Sequence, residues 1–256
     1  MKIIVCIKQV PERDAQVRIS SSGKGIEESD IQFAMNESDA YALEEALQLK
    51  EKHGGEVVVL TAGPERAGST IREALAKGAD RAIQVESDNL NQLGALGVAQ
   101  LLASAAKQES PDLVLTGLQS DDLGYGQTGV IMAELMGLPH ASLILNVEKT
   151  DTGITVKREL EEGWFQNIDL PLPAVLMIQS GGTKLRYATL MGIKKAKTKE
   201  LRKVSDSDLG QSATPAATLE KIAQPQKQKS TQIISGSPKE AAATLVEKLK
   251  FEVRVI

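Results

Sequence analysis

An α/β fold, with a mainly parallel, doubly wound sheet covered by helices on both faces, is predicted by three features of this chain. From Lys2 to Met136, short Val-, Ile- and Leu-rich runs alternate with segments of helical period, the pattern of repeated strand–helix units. The runs are apolar nearly end to end, as in EVVVLTA at Glu56 to Ala62, and strands buried on both faces read that way. One of them stops in a glycine-rich polar loop that leads straight into a helical pattern, Val114 to Gly129 (VLTGLQSDDLGYGQTG). With 256 residues, 41% of them apolar and only 3% aromatic, the core is built mainly from Val, Leu, Ile and Ala.

Lys2 to Val10 (KIIVCIKQV) reads as a buried strand, and Gln16 to Glu28 as a hairpin turning at SSGKG. Asn36 stands as N-cap of a helix running to about His53, with Glu37 and Asp39 in its first turn and Gly54-Gly55 as its stop. Glu56 to Ala62 is the next strand, Ser69 to Lys77 a helix closed by Gly78, Ala82 to Val85 a strand, and Asn91 to Lys107 a further helix. Asp112 to Thr116 then forms a short buried strand, and Gln127 to Met136 a helix whose apolar side includes Val130, Ile131 and Leu135. After Pro139 come four short runs broken by Gly and Pro: Ser142 to Val147, Gly153 to Glu159, Trp164 to Leu170 and Ala174 to Gln179. These read as antiparallel strands at a sheet edge. Lys184 to Lys203 is rich in cations, and Ser205 to Pro238 has too few apolar residues to fold alone. Pro238 to Lys250 is again a helix, with Ser237 as N-cap, Pro238 at N1 and Glu240 at N3. The expected division is an α/β domain over 1–204 and a C-terminal arm over 205–256 whose helix docks on another chain.

The ends of parallel strands line one edge of a sheet, so the loops after Val10, Ala62 and Gly117 and the helix start at Asn36 converge there. Unpaired N–H groups and the positive dipole end at the Gln127 helix start attract phosphate, and Gly124, Gly126 and Gly129 let main chain approach a ligand. Asp121 or Asp122 is placed to accept from ribose hydroxyls or an adenine amine. The three glycines spell G-x-G-x-x-G, with Glu148 following. In a dinucleotide fingerprint, however, the first glycine turns directly off the strand, whereas here Leu118 to Leu123 intervene with two carboxylates. A mononucleotide in a wider loop fits better, and an ordinary strand-to-helix loop is the plain alternative.

Other chemistry is sparse. A net charge of −4 argues against a general nucleic-acid or membrane binder. The single Cys6 lies inside the first apolar run as a packed, reduced thiol. No signal peptide or membrane-spanning run is recognisable, so a cytoplasmic location is expected. His53 and His140 read as surface residues, Ser180 to Thr183 (SGGT) as a turn, the Lys194 to Lys203 run as a solvated face, and Trp164-Phe165 as a strand pair packing into an apolar seam.

Several stretches, in this order, resemble the small (beta) subunit of electron-transfer flavoproteins over nearly the whole chain. They are VCIKQV at Val5 to Val10, Met35-Asn36 before EALQLKEK, Ala62-Gly63-Pro64 with IREALAKGADRAI, LVLTGLQSDD with Gln127-Thr128-Gly129, VKRELEEG through LPAVLMI, and RYATLMGIKKAK. The resemblance implies a heterodimer in which the large (alpha) subunit holds a redox FAD and this chain binds AMP as a structural ligand. The AMP contacts carried over are Cys6, Asn36, Glu37, Ser38, Asp39, Ala62, Gly117, Leu118, Gln119, Ser120, Asp121, Asp122, Leu123, Gly124, Tyr125, Gly126, Gln127 and Thr128. Glu37-Ser38-Asp39 follows Asn36 where the mammalian-type members carry Pro-Phe-Cys. The resemblance also implies an electron carrier without catalytic residues of its own, passing electrons from acyl-CoA-type dehydrogenases, as in fatty acid beta-oxidation, to a membrane quinone oxidoreductase. Its docking residues are Tyr187, Leu190, Lys194, Lys195, Lys197 and Lys199. Some relatives hold a second FAD in place of AMP, and a stand-alone nucleotide-binding regulatory module or an NAD-dependent enzyme is the rival from another class.

Overall fold

Runs of β-branched and aliphatic residues pack on both faces of a pleated sheet, and the structure uses them so. The computed structural model describes residues 1–87, 90–210, 215, 218–226 and 231–255. In chain order the elements are β1 (Lys2–Cys6), β2 (Gln9–Pro11), β3 (Phe33–Met35), α1 (Glu37–His53), β4 (Glu56–Ala62), α2 (Gly68–Lys77), β5 (Arg81–Glu86), α3 (Gly94–Glu109), β6 (Leu113–Gly117), α4 (Thr128–Met136), β7 (His140–Lys149), β8 (Ile154–Glu159), β9 (Phe165–Leu170), β10 (Ala174–Ile178), α5 (Leu190–Ala196), β11 (Leu201–Ser205) and α6 (Pro238–Glu247). They fall into two compact units, Met1–Lys221 and Ile222–Ile256.

The first unit is organised on one nine-stranded sheet in the order β11-β5-β4-β1-β6-β10-β7-β8-β9. Every pairing is parallel except β7 with β8 and β8 with β9. Alternate side chains serve opposite faces. Ile3 and Val5 of β1 pack with Leu43 and Leu47 of α1 and Ile71 and Leu75 of α2, while Ile4 packs with the layer containing Leu101 of α3 and Met132 of α4. Burial on both sides is the reason the strands carry no polar alternation.

The sheet corrects several expectations. Ala174–Ile178 is no edge strand: it lies parallel between β6 and β7, with all five residues buried. Adjacency to a hairpin in sequence does not impose adjacency in the sheet, and a fully apolar strand is most stable at the centre. The run Lys2 to Val10 breaks after Cys6, and Gln9–Pro11 pairs antiparallel with Phe33–Met35 in a separate ribbon. Between them, Gln16 to Glu28 keeps only one antiparallel bridge, Ile19 to Ile26. The cationic stretch ends in β11, a parallel edge strand whose Lys203 pairs with Glu86 at 2.8 Å and whose Arg202 pairs with Glu109 at 2.9 Å. Trp164 and Phe165 do not enter an apolar seam. They sit at the start of the outermost strand, where Trp164 is 71% exposed and Lys157 Nζ lies 4.0 Å from the Phe165 ring centre. Strand β11 runs to Ser205 and Leu209 is buried beyond it, so the first unit extends past 204, to Lys221.

In the second unit, Ser237 and Glu240 form the reciprocal capping box expected for α6, with Pro238 in its first turn. A wider helical turn, Lys248–Val253, continues it, and Leu245, Val246, Phe251 and Val253 are exposed. Of the arm 205–256, positions 211–214, 216–217, 227–230 and 256 lie outside the described residues. Among the described residues no helix is long and apolar enough to cross a membrane.

Candidate functional site

Neighbouring strands β1 and β6 send their chains to opposite faces of the sheet: β1 leads into α1 in one layer, β6 into α4 in the other. Where two such connections diverge, a crevice opens beyond the C-terminal ends of the strands. The loop after Gly117 and the start of α1 meet at this point.

Three buried residues of the α1 start hold the loop in place. Asp39 receives the Lys8 N–H on Oδ2 at 2.7 Å and the Gly117 N–H on Oδ1 at 3.0 Å, joining the exits of β1 and β6. Asn36 donates to the Gln119 carbonyl at 2.8 Å and to Ser38 Oγ at 3.0 Å, and accepts the Asp121 N–H at 2.8 Å. Ser38 Oγ also donates to the Gln119 carbonyl at 2.8 Å. Asn36 occupies the N-cap position, but its side chain does not cap the helix; the carboxylate of Asp121 takes the Glu37 N–H instead, at 3.2 Å. The polar groups of Asn36, Ser38 and Asp39 are thus spent on loop shape. Burial pushes the Asp39 carboxyl up to about 7, against the opposing effect of its N–H donors. Burial, and then the nearby Asp39, pushes the Cys6 thiol well above its ordinary range, so Cys6 is a packed thiol at neutral pH.

Close approach here requires glycine. A Cβ on Gly117 would lie 2.2 Å from Asp39 Oδ1 and 2.3 Å from Ser38 Oγ. One on Gly129, in the first turn of α4, would lie 2.5 Å from both Met177 Cγ and Thr116 Oγ1. Beyond Ser120 the loop curls outward: the Gly124 N–H returns to the Ser120 carbonyl at 2.8 Å, and Leu123, Gly124, Tyr125, Gly126 and Gln127 are exposed. Helix α4 starts without a side-chain cap, and helical geometry leaves the N–H groups of Thr128, Gly129 and Val130 without intrahelical partners. Such a start attracts anions. Ala62 lies at the end of β4, one strand away, and the neighbouring Gly63 N–H donates to the Val85 carbonyl at 3.1 Å.

Lys8 was not among the expected site residues. Its ammonium meets Asp122 at 2.6 Å and lies 3.4 Å from Ser120 Oγ, bridging the β1 exit to the loop. The signal for it was a lone cation inside an apolar run, placed where the strand ends. Asp122 would be raised by burial alone, but the Lys8 hydrogen bond and charge hold its carboxyl below the usual range.

The docking candidates lie elsewhere. Tyr187 is 91% and Leu190 88% exposed, and Met191 and Ile193 are exposed beside them. Lys194, Lys195 and Lys197 face solvent as well. Lys199 does not: its ammonium donates to the Leu75 carbonyl at 2.9 Å, in the last turn of α2 where carbonyls lack helical partners, and to that of Ala79 just beyond the helix, and burial lowers its pKa. Among the described residues no group of three or more His, Cys, Asp or Glu side chains could hold a metal, and both histidines are exposed.

A family model for the electron transfer flavoprotein domain matches residues 24–209. The chain is 37% identical to the electron transfer flavoprotein subunit beta of Methylophilus methylotrophus over 96% of its own length and 97% of that protein's. It is 38% identical to the mitochondrial subunit beta of Oryza sativa subsp. japonica over the full length of both, and 34% identical to the subunit beta of Bos taurus over 98% and 97%. The chain belongs to the electron transfer flavoprotein beta subunits. In this beta subunit the junction of the β1 and β6 exits and the exposed face of α5 are separate features. Arg186, just before that face and absent from the expected residues, fastens it to α1.

Proposed function

We propose that this beta subunit holds AMP as a structural ligand in the crevice between β1 and β6. With an FAD-bearing alpha subunit, it shuttles electrons from acyl-CoA-type dehydrogenases to a membrane quinone oxidoreductase. The observation that supports the ligand most directly is the uncapped first turn of α4, set against a loop bolted to the start of α1. The free N–H groups there and the Thr128 hydroxyl suit a phosphate, and the exposed loop from Asp121 to Gln127 suits a nucleoside. When bound, AMP supplies packing and charge rather than redox chemistry. The chain acts as a carrier subunit without catalytic residues of its own, placed in the cytoplasm, with the α5 face meeting the dehydrogenase and the C-terminal unit meeting the alpha subunit. Heat release of ligands from the purified heterodimer tests this. One AMP and one FAD per heterodimer are expected, and flavin in excess of one overturns the AMP assignment in favour of a second FAD.

A further inference from the structure

Arg186 immediately precedes the exposed Tyr187, yet its own guanidinium is spent on two carboxylates of α1, the buried Glu44 and the exposed Glu51. Nε donates to Glu44 Oε2 at 2.8 Å and Nη2 to Glu44 Oε1 at 3.0 Å; Nη2 also reaches Glu51 Oε2 at 3.1 Å, and Nη1 donates to the other oxygen of Glu51. The Arg186 N–H adds a bond to Glu44 at 3.2 Å. Between the two carboxylates on the same side of α1, Gln48 donates to Glu44 at 2.8 Å and to Thr183 Oγ1 at 2.7 Å. Burial alone would raise Glu44, but the Arg186 hydrogen bonds hold its carboxyl below the usual range.

The far side of α5 is fastened as firmly. Gly192 lies so close to α2 that a Cβ would be 2.2 Å from the Ala76 carbonyl oxygen. Arg72 donates to the carbonyls of Ala196 at 2.6 Å and Lys199 at 3.1 Å. A short helix with an apolar outer face, capped by Thr189 and held between the Arg186 bonds just before it and the Arg72 bonds at its C-terminal side, is preorganised: the entropy of ordering it is lost on folding rather than on docking.

We infer that Arg186 is the positioning residue of this docking face: its fork across Glu44 and Glu51 sets the direction in which Tyr187 and Leu190 present themselves to the electron-donating dehydrogenase. The inference rests on the docking role proposed above. A planar five-donor fork is needed to span two carboxylates, which a lysine ammonium does not reproduce.

The test uses the complete FAD-loaded heterodimer and follows flavin reduction by an acyl-CoA dehydrogenase at varied flavoprotein concentration, with dithionite reduction as a second readout. Arg186→Gln is expected to raise KM for the flavoprotein about tenfold, with kcat within twofold and the dithionite rate unchanged; Arg186→Lys recovers only part of the loss. Because Arg186→Gln strands a buried carboxylate, the double variant Glu44→Gln/Arg186→Gln is measured beside it. It is expected to regain thermal stability while KM stays high, and a wild-type KM in this folded, flavin-loaded variant overturns the inference. Leu190→Ala in the same assay separates the two levels. An unchanged KM there overturns the docking role and this inference with it. A raised KM there, with a wild-type KM in the double variant, overturns the positioning role alone.

Discussion

Asp39 accepts the N–H of Gly117 at 3.0 Å through a gap that only glycine leaves, since a Cβ at 117 would stand 2.2 Å from the same carboxylate oxygen. Gly117→Ala is therefore expected to push the β6 exit away from α1, at a cost of about 1–3 kcal/mol. Nucleotide content should fall with it. Denaturant unfolding and ligand analysis of the heterodimer check both, and wild-type values would show that the contact between β6 and α1 yields freely.

Gly126 and Thr128 belong to the proposed ligand site and lie outside the core. Gly126 has φ +61°, with no atom closer than 3.7 Å to an added Cβ, so Gly126→Val is strained by conformation rather than by collision. Thr128→Val removes a hydroxyl at the start of α4. Each variant should retain less AMP after purification while the flavin stays loaded and reducible. Full AMP occupancy in both refutes the phosphate position.

Glu45 of α1 lies buried and accepts the Val147 N–H on Oε1 at 2.9 Å. Burial, aided by the charge of Glu44 and opposed by the Val147 bond, raises its carboxyl from 4.5 to about 7. Between those values the unfolded chain has released a proton that the folded chain still holds, so stability falls as pH rises from 4.5 to about 7 and stays lowered above. The whole effect is on the order of 3 kcal/mol. Glu45→Gln keeps an acceptor for Val147 and removes the charge, so it should gain about 1–3 kcal/mol over wild type at pH 8 and nothing near pH 4. Urea midpoints across that range decide it; equal curves for the two proteins exclude a proton held by Glu45.

The helices and the parallel strands before Pro139 were legible because local signals agree with the fold: caps, glycine stops and apolar runs. Asn36 and Asp39 were legible as residues of the α1 start, but not the bonds they make, since the bond that the Gly117 N–H donates to Asp39 is invisible to spacing. The central position of Ala174–Ile178 was hidden because insertion between β6 and β7 is a long-range choice. The β11 strand was hidden because its charges are satisfied by Glu86 and Glu109 from distant segments. Arg186 looked like one more cation in a basic stretch, and only the position of α1 reveals its two partners.

Leu190, at 88% exposure, contributes little to the fold of this chain. Leu190→Ala should leave the melting temperature nearly unchanged and slow reduction by the dehydrogenase at limiting concentration about 10–100-fold, the equivalent of about 1.5–3 kcal/mol of docking burial. Neutralising Lys194, Lys195 and Lys197 should slow encounter at low salt and matter little at high salt. A marked loss of stability in Leu190→Ala would place that side chain in the core instead.

A chain ending at Lys221 keeps the whole first unit, including β11 and the buried Leu209. It should unfold at nearly the wild-type denaturant midpoint yet associate weakly with the alpha subunit in co-purification. A chain ending at 204 cuts the edge strand and should lose stability as well. Wild-type association of the longer truncation would remove the C-terminal unit from assembly.

The floor beneath the first turn of α4 is Met177, in a strand made some 50 residues later than the helix it supports. Strand β10 is therefore made after both of the strands it comes to lie between, β6 and β7, and after the helix it supports. Pairing of this long-range kind is slow to form. The proposed nucleotide would therefore meet a sheet whose strand order is already complete, and by binding the folded chain alone it would add to the stability of that finished sheet.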